Sequence, residues 1–165
     1  MKINIRGKLI DLSEPKIMGI LNLTPDSFYD GGKYNEIKTA LNQTEKMISQ
    51  GAFFIDLGAC STRPGAKAIS VDEEKKRLLP VLEKLIREFP ETYFSIDTYR
   101  SSVAAEGLDL GAAMINDISG GQFDSKMMET VGKHSIPYVL MHISGKPQNM
   151  QNKPQYKNVV KEVLF

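Results

Sequence analysis

The sequence predicts an α/β fold, a (β/α)8 TIM barrel that is incomplete at about five βα units and preceded by an N-terminal β-hairpin. Three observations carry this. Apolar strand-like runs alternate with helical stretches and no hairpin follows the first, which specifies parallel strands joined by right-handed crossovers. Polar residues recur at the C-terminal end of nearly every strand: Asn22, Asp56, Asp97, Asn116 and His142. A barrel gathers all those ends at one mouth. An open doubly wound sheet would concentrate its contacts at a switch point, and no Gly-x-Gly-x-x-Gly follows the first strand.

Each element has its own signal. Lys2 to Leu12 reads as the hairpin, turning at Gly7-Lys8 and covering one end of the domain. The first core strand is Ile17 to Leu23. A helix follows from about Asn35 to Gln50, with Ile37, Leu41, Thr44 and Ile48 on one face and Gly51 as its stop. The second strand, Phe53 to Gly58, opens into a loop running from Ala59 to Ala66. Ser70-Val71-Asp72-Glu73 is a capping box that starts another helical stretch. Pro80 fits the first position of a further helical run carrying Leu82, Leu85, Ile86 and Phe89, which Pro90 ends. The third strand runs from Tyr93 to Thr98, followed by a helix over Ser101 to Leu110 with Gly111 as its stop. A fourth strand, Met114 to Ser119, leads into Gly120-Gly121. Asp124 is placed to cap a helix containing Met127, Met128 and Val131. A fifth strand from Ile136 to Ile143 precedes a Pro- and Gln-rich loop, Gly145 to Gln155, and Tyr156 to Phe165 reads as the start of one more helix.

Composition bounds the function. The chain has 165 residues, 41% hydrophobic and 25% charged, which is ordinary globular usage for one domain with a real core. Lys plus Arg total 21 against 20 Asp plus Glu, so the net charge of +1 lacks the basic footprint of a nucleic-acid binder. No apolar run approaches the ~20 residues of a membrane span, and the N-terminus has no signal-peptide core. The single cysteine, Cys60, excludes an internal disulfide framework and fits a reducing compartment. A soluble, cytoplasmic protein is expected.

The stretch from Met18 to Gly32 organises the chain, because an apolar strand there delivers Asn22 into a loop of turn chemistry, Thr24-Pro25-Asp26-Ser27. Asn22 either caps that loop or aims a carbonyl oxygen at a ligand or metal. Asn22-Leu23-Thr24-Pro25-Asp26-Ser27-Phe28-Tyr29-Asp30-Gly31-Gly32, Ser61-Thr62-Arg63-Pro64-Gly65, Asp97-Thr98-Tyr99-Arg100, Asn116-Asp117-Ile118-Ser119-Gly120-Gly121 and Met141-His142 occur in this order. Together they resemble dihydropteroate synthase, from the hairpin onward.

The resemblance implies a pterin-binding TIM barrel. Its reaction joins p-aminobenzoate to a dihydropterin carrying hydroxymethyl pyrophosphate and expels pyrophosphate, making dihydropteroate for folate synthesis. It also implies Mg2+ as cofactor, sulfonamides as occupants of the p-aminobenzoate site, and a homodimer for the full-length enzyme. By resemblance Asn22 holds Mg2+, a small hard ion that suits one neutral oxygen plus phosphates and water. Thr62 offers a hydroxyl to the pyrophosphate, and Arg63 a planar fork either for phosphate or for ordering the first loop. Phe28 and Pro64 form walls of the p-aminobenzoate pocket, with a core role for Phe28 as the alternative. Asp97 and Asn116 resemble the pair that reads the pterin's alternating donors and acceptors, and Asp97 would also stabilise a cationic carbon. The alternative for Asp97 is a helix N-cap. Asp30 is a loop partner for Arg63 or for the amine of p-aminobenzoate. Met141 packs either on the pterin or in the core.

Other polar residues receive plainer roles. His142 is not read as a general base, since the attacking aniline is already a neutral nucleophile. His134 is a dipole contact at a helix C-terminus. Asp56 and Asp117 are expected to hydrogen-bond loop backbone.

Two departures stand out. Where the family has Gly-Gly-Glu-Ser-Thr-Arg-Pro, this chain has Gly58-Ala59-Cys60-Ser61-Thr62-Arg63-Pro64, so a charge beside Arg63 is lost and Cys60 is expected to be inert. The family's later motifs, an Asp and a Lys of the pterin site and an Arg/His pair of the anion site, have no counterpart here. The chain is therefore expected to be one barrel domain, residues 1–165, truncated on its C-terminal side and inactive alone. Competing readings are a pterin-binding methyltransferase acting between methyltetrahydrofolate and a corrinoid, and a non-catalytic half-barrel module. The Thr24–Phe28 and Ser61–Pro64 motifs, which serve a pyrophosphate, argue against the methyltransferase.

Overall fold

A computed structural model of the chain describes residues 1–24, 32–60, 69–145, 150 and 155–164, with only the backbone for 32–35. Strands β1 (Lys2–Ile5) and β2 (Lys8–Asp11) form an antiparallel hairpin. Its two-residue turn is Arg6-Gly7, one position earlier than expected, with φ of 51° and 78°. Both left-handed values give a primed turn, which matches the twist of the paired strands.

The remaining strands are β3 (Ile17–Asn22), β4 (Ala52–Gly58), β5 (Tyr93–Asp97), β6 (Met114–Asp117) and β7 (Tyr138–Leu140). They form a five-stranded parallel sheet in the order β3-β4-β5-β6-β7, an arc of a TIM barrel. Helices α1 (Gly32–Ser49), α2 (Val71–Glu88), α3 (Ser101–Asp109) and α4 (Met127–His134) cover the outer face, and α5 (Val159–Leu164) follows. The core lies between sheet and helices. Leu21, Ile55, Leu57, Phe94, Ile96 and Ile115 from the strands meet Leu78, Leu82 and Leu85 of α2 and Leu108 of α3. The hairpin closes the opposite end from the strand C-termini, where Ile5 is buried with Phe54, Ala113 and Met114. Arg6 adds a hydrogen bond from Nη2 to the Gly111 carbonyl.

Several boundaries differ from the sequence reading. α1 begins at Gly32, not Asn35. α2 is one helix with Pro80 in its interior, not two runs separated there. The proline is exposed, so its missing N–H falls on the solvent side while Leu78, Val81, Leu82 and Leu85 bury the other face. The Ser70 half of the expected capping box is present, Ser70 Oγ accepting from the Glu73 N–H at 3.1 Å, while the Glu73 carboxylate pairs with Arg77. β6 and β7 are shorter than expected, because Asp117 turns the chain and β7 pairs over only three residues. Asp124 does more than expected. One oxygen accepts from the Lys126 N–H at 3.0 Å before α4, and the other accepts from the Ser101 N–H at 2.7 Å, capping α3.

Candidate active site

Parallel registry brings the strand-end residues into line. Asn22 pairs with Gly58, Gly58 with Asp97, Asp97 with Asn116, and Asn116 with Val139. Register neighbours point to one face and sit about 4.8 Å apart. The row beneath is Ile20, Asp56, Ser95 and Met114, and below it lie Met18, Phe54 and Tyr93.

Gly58, having no side chain, lets its neighbours in the top row approach closely. A Cβ there would lie 3.3 Å from Asp97 Oδ2 and 3.8 Å from Asn22 Oδ1, so both side chains lean over the glycine. Asn22 is exposed, and Asp97 and Asn116 are half-buried. Asp97 does not cap α3: the N-cap residue of that helix is Arg100, and the Ser101 N–H is met by Asp124. Burial first, then the charges of Asp56, Glu74 and Asp117, push the Asp97 carboxyl up to about 7.

Asp56 corrects an expectation. It is buried inside the arc and serves a side chain instead of loop backbone: Asn116 Nδ2 donates to its Oδ2 at 2.8 Å. That bond fixes the amide, leaving the Asn116 carbonyl oxygen free for a ligand. The Asp56 Oδ1 and the neighbouring Ser95 Oγ are buried side by side without a bond of good geometry to any described residue, though close enough for the Ser95 hydroxyl to favour the Asp56 charge. Burial raises the Asp56 carboxyl as well. The signal was present in Phe53-Phe54-Ile55-Asp56-Leu57, a carboxylate inside an otherwise apolar strand.

Asp117 fills its expected role and adds to it. Buried behind β6, it accepts from the backbone N–H groups of Ser119 at 2.7 Å and Gly121 at 3.0 Å, and from the Tyr138 hydroxyl at 2.6 Å. Gly120, with φ 57°, is required by the tight return, because a Cβ would lie 2.7 Å from the Met141 carbonyl oxygen. Met141 is 38% exposed, so it is not packed in the core. His142 Nε2 lies 3.2 Å from the Tyr156 hydroxyl, and His134 Nδ1 lies 2.8 Å from the Thr130 carbonyl oxygen at the end of α4.

A second buried carboxylate was missed altogether. Glu74 accepts from Thr98 Oγ1 at 2.6 Å and pairs with Arg100, whose Nη2 donates to the Ile69 carbonyl at 2.6 Å. Its spacing to Leu78, Leu82 and Leu85 puts it on the apolar stripe of α2, a place where a charge needs a partner. Cys60, in the next turn of chain, is half-buried, and burial raises its thiol, as an inert cysteine requires. The expected site residues Phe28, Asp30, Thr62, Arg63 and Pro64 lie outside the described residues.

The family model described as "Pterin binding enzyme" matches residues 18–165. The chain belongs to that family. Its relatives agree in fold and sequence. Dihydropteroate synthase from Synechocystis sp. is 46% identical over 147 residues, which cover 89% of this chain and 50% of the relative. The Yersinia pestis dihydropteroate synthase crystallised with a sulfonamide drug superposes with a TM-score of 0.85 at 42% identity, over 98% of this chain and 58% of that one. The Xanthomonas albilineans dihydropteroate synthase with 4-aminobenzoic acid gives 0.84 at 35% identity, over 98% and 56%. The chain thus spans about half the length of the curated dihydropteroate synthase it matches at 46% identity. Among the described residues no helix is long and apolar enough to cross a membrane.

Proposed function

We propose that this chain supplies one part of a dihydropteroate synthase, which joins p-aminobenzoate to 7,8-dihydropterin hydroxymethyl pyrophosphate and releases pyrophosphate. The observation that carries the reading is the row Asn22, Gly58, Asp97, Asn116 at the strand C-termini of a pterin-binding-enzyme fold. The relative crystallised with 4-aminobenzoic acid supports the choice of aromatic amine.

Asp97 and Asn116 read the pterin edge. A half-buried carboxylate among three other acids favours a ligand that brings N–H donors or developing positive charge. Asp56 keeps the Asn116 amide in one orientation, so the pterin meets a preset acceptor. The amine of p-aminobenzoate attacks the pterin's exocyclic carbon as pyrophosphate leaves. Phe28 and Pro64 wall its ring, Asp30 holds the amine or Arg63, Met141 packs on the pterin, and Thr62 and Arg63 receive the departing charge.

Mg2+ fits the residues present. Among the described residues no three His, Cys, Asp or Glu side chains form a metal cage. Asn22, exposed at the end of β3, offers one neutral oxygen, as suits an ion ligated mainly by phosphate and water. When bound, the ion neutralises charge on the pyrophosphate. The reading extends to a cytoplasmic homodimer with small-molecule substrates and no nucleic-acid or membrane partner.

The test is direct. The full-length protein, given p-aminobenzoate and the pterin pyrophosphate, should release pyrophosphate and form dihydropteroate one for one. Pyrophosphate release that does not depend on p-aminobenzoate, or none at all, would sink the proposal. Retention of p-aminobenzoate only in the presence of pyrophosphate separates it from a corrinoid-dependent methyltransferase.

A further inference from the structure

The buried Glu74–Arg100 pair sits outside the row that meets the ligand, yet it joins the two connections on either side of it. Glu74 lies in the first turn of α2 and is 1% exposed. One of its oxygens accepts from Thr98, the residue next to Asp97, at 2.6 Å. The other pairs with Arg100 Nη1. Arg100 uses its second nitrogen on the Ile69 carbonyl, 2.6 Å away, and its guanidinium stacks on Tyr99, 5.2 Å from the ring centre.

Ile69 is where the β4–α2 connection leads into α2, one residue before the Ser70 cap. The planar cation of Arg100 therefore ties Ile69 and the start of α2 to the end of β5. We propose that Glu74 and Arg100 are positioning residues for the synthase reaction, fixing the base of the β4–α2 connection relative to Asp97.

The physical case rests on cost and geometry. A charge taken out of water on the apolar face of α2 is retained only with a close partner. A plain helix-to-sheet contact would be met by another leucine. The fork of Arg100 serves two acceptors at fixed spacing, which an ammonium cannot copy. Thr62 and Arg63 precede Ile69 in sequence, and the tie acts at Ile69, the first described residue after them. Small misplacement of such groups costs rate while leaving remote binding intact.

This inference rests on the proposed synthase activity, and the experiment separates the two. In the full-length protein, Arg100→Lys keeps the charge beside Glu74 but loses the fork, and Glu74→Gln keeps the Thr98 bond but removes the ion pair. Each is expected to lower kcat at least about tenfold and raise the KM for p-aminobenzoate. The Kd for the pterin pyrophosphate should stay within about threefold, because Asp97 and Asn116 are untouched. The double variant should lose no more than the worse single one, since the two act as a unit. Wild-type turnover in both variants of an active enzyme overturns the inference alone, as does a loss of turnover that only tracks the folded fraction in thermal melts. A wild-type protein that makes no dihydropteroate overturns both.

Discussion

Asp97 carries the largest electrostatic tension among the residues at the mouth. Its carboxyl titrates near 7 because burial and three neighbouring acids disfavour its charge. A folded-state value above the unfolded 3.8 means that the folded chain holds the proton more tightly between the two. Stability is therefore fullest at and below about pH 4 and falls as pH rises toward 7. Asp97→Asn removes this dependence. Urea titrations should show the variant level with wild type at pH 4 and more stable by about 2 to 4 kcal/mol at pH 8. A gain that does not grow with pH would contradict the assignment. Gly58→Ala tests the close approach of Asp97 and Asn22 over the glycine. The added methyl meets Asp97 Oδ2 at 3.3 Å and Asn22 Oδ1 at 3.8 Å, so the fold should survive within about 1 kcal/mol while pterin affinity falls at least tenfold, as calorimetry would report.

At the scale of elements, α2 shows packing overriding local preference. Pro80 removes one helical hydrogen bond and crowds the preceding turn, yet the helix runs through it because its buried face stays in contact with the sheet. Pro80→Ala should then stabilise the chain by about 1 to 3 kcal/mol, read as a higher urea midpoint with unchanged slope. A lower midpoint would mean that the proline supplies a contact of its own. The reading of Pro80 as a helix start failed for this reason: its N1 preference is real, but a proline on a solvent-facing interior position carries the same local signature. Asp124 is similar. Its place before α4 was visible, whereas its bond to the start of α3 depends on two helices meeting.

At the scale of the molecule, the sheet presents β3 and β7 as its outer strands, with Ile20 64% and Leu140 59% exposed. Unpaired strand edges with apolar side chains promote association. The 165-residue polypeptide should therefore self-associate in sedimentation velocity, and Ile20→Lys combined with Leu140→Lys should shift it toward monomer. A monodisperse wild-type polypeptide at high concentration would refute this.

The sequence alone determined the parallel α/β arc, the leading hairpin and the strand ends bearing Asn22, Asp97 and Asn116. Those follow from short-range alternation of apolar runs and turn residues, which each segment carries by itself. The tertiary structure alone decided that Asn116 leans on Asp56, that Glu74 holds Thr98 and Arg100, and that Asn22 and Asp97 close over Gly58. Each of those contacts joins side chains from different strands or helices. Which carboxylate finds which donor is set only when the register of neighbouring strands is fixed.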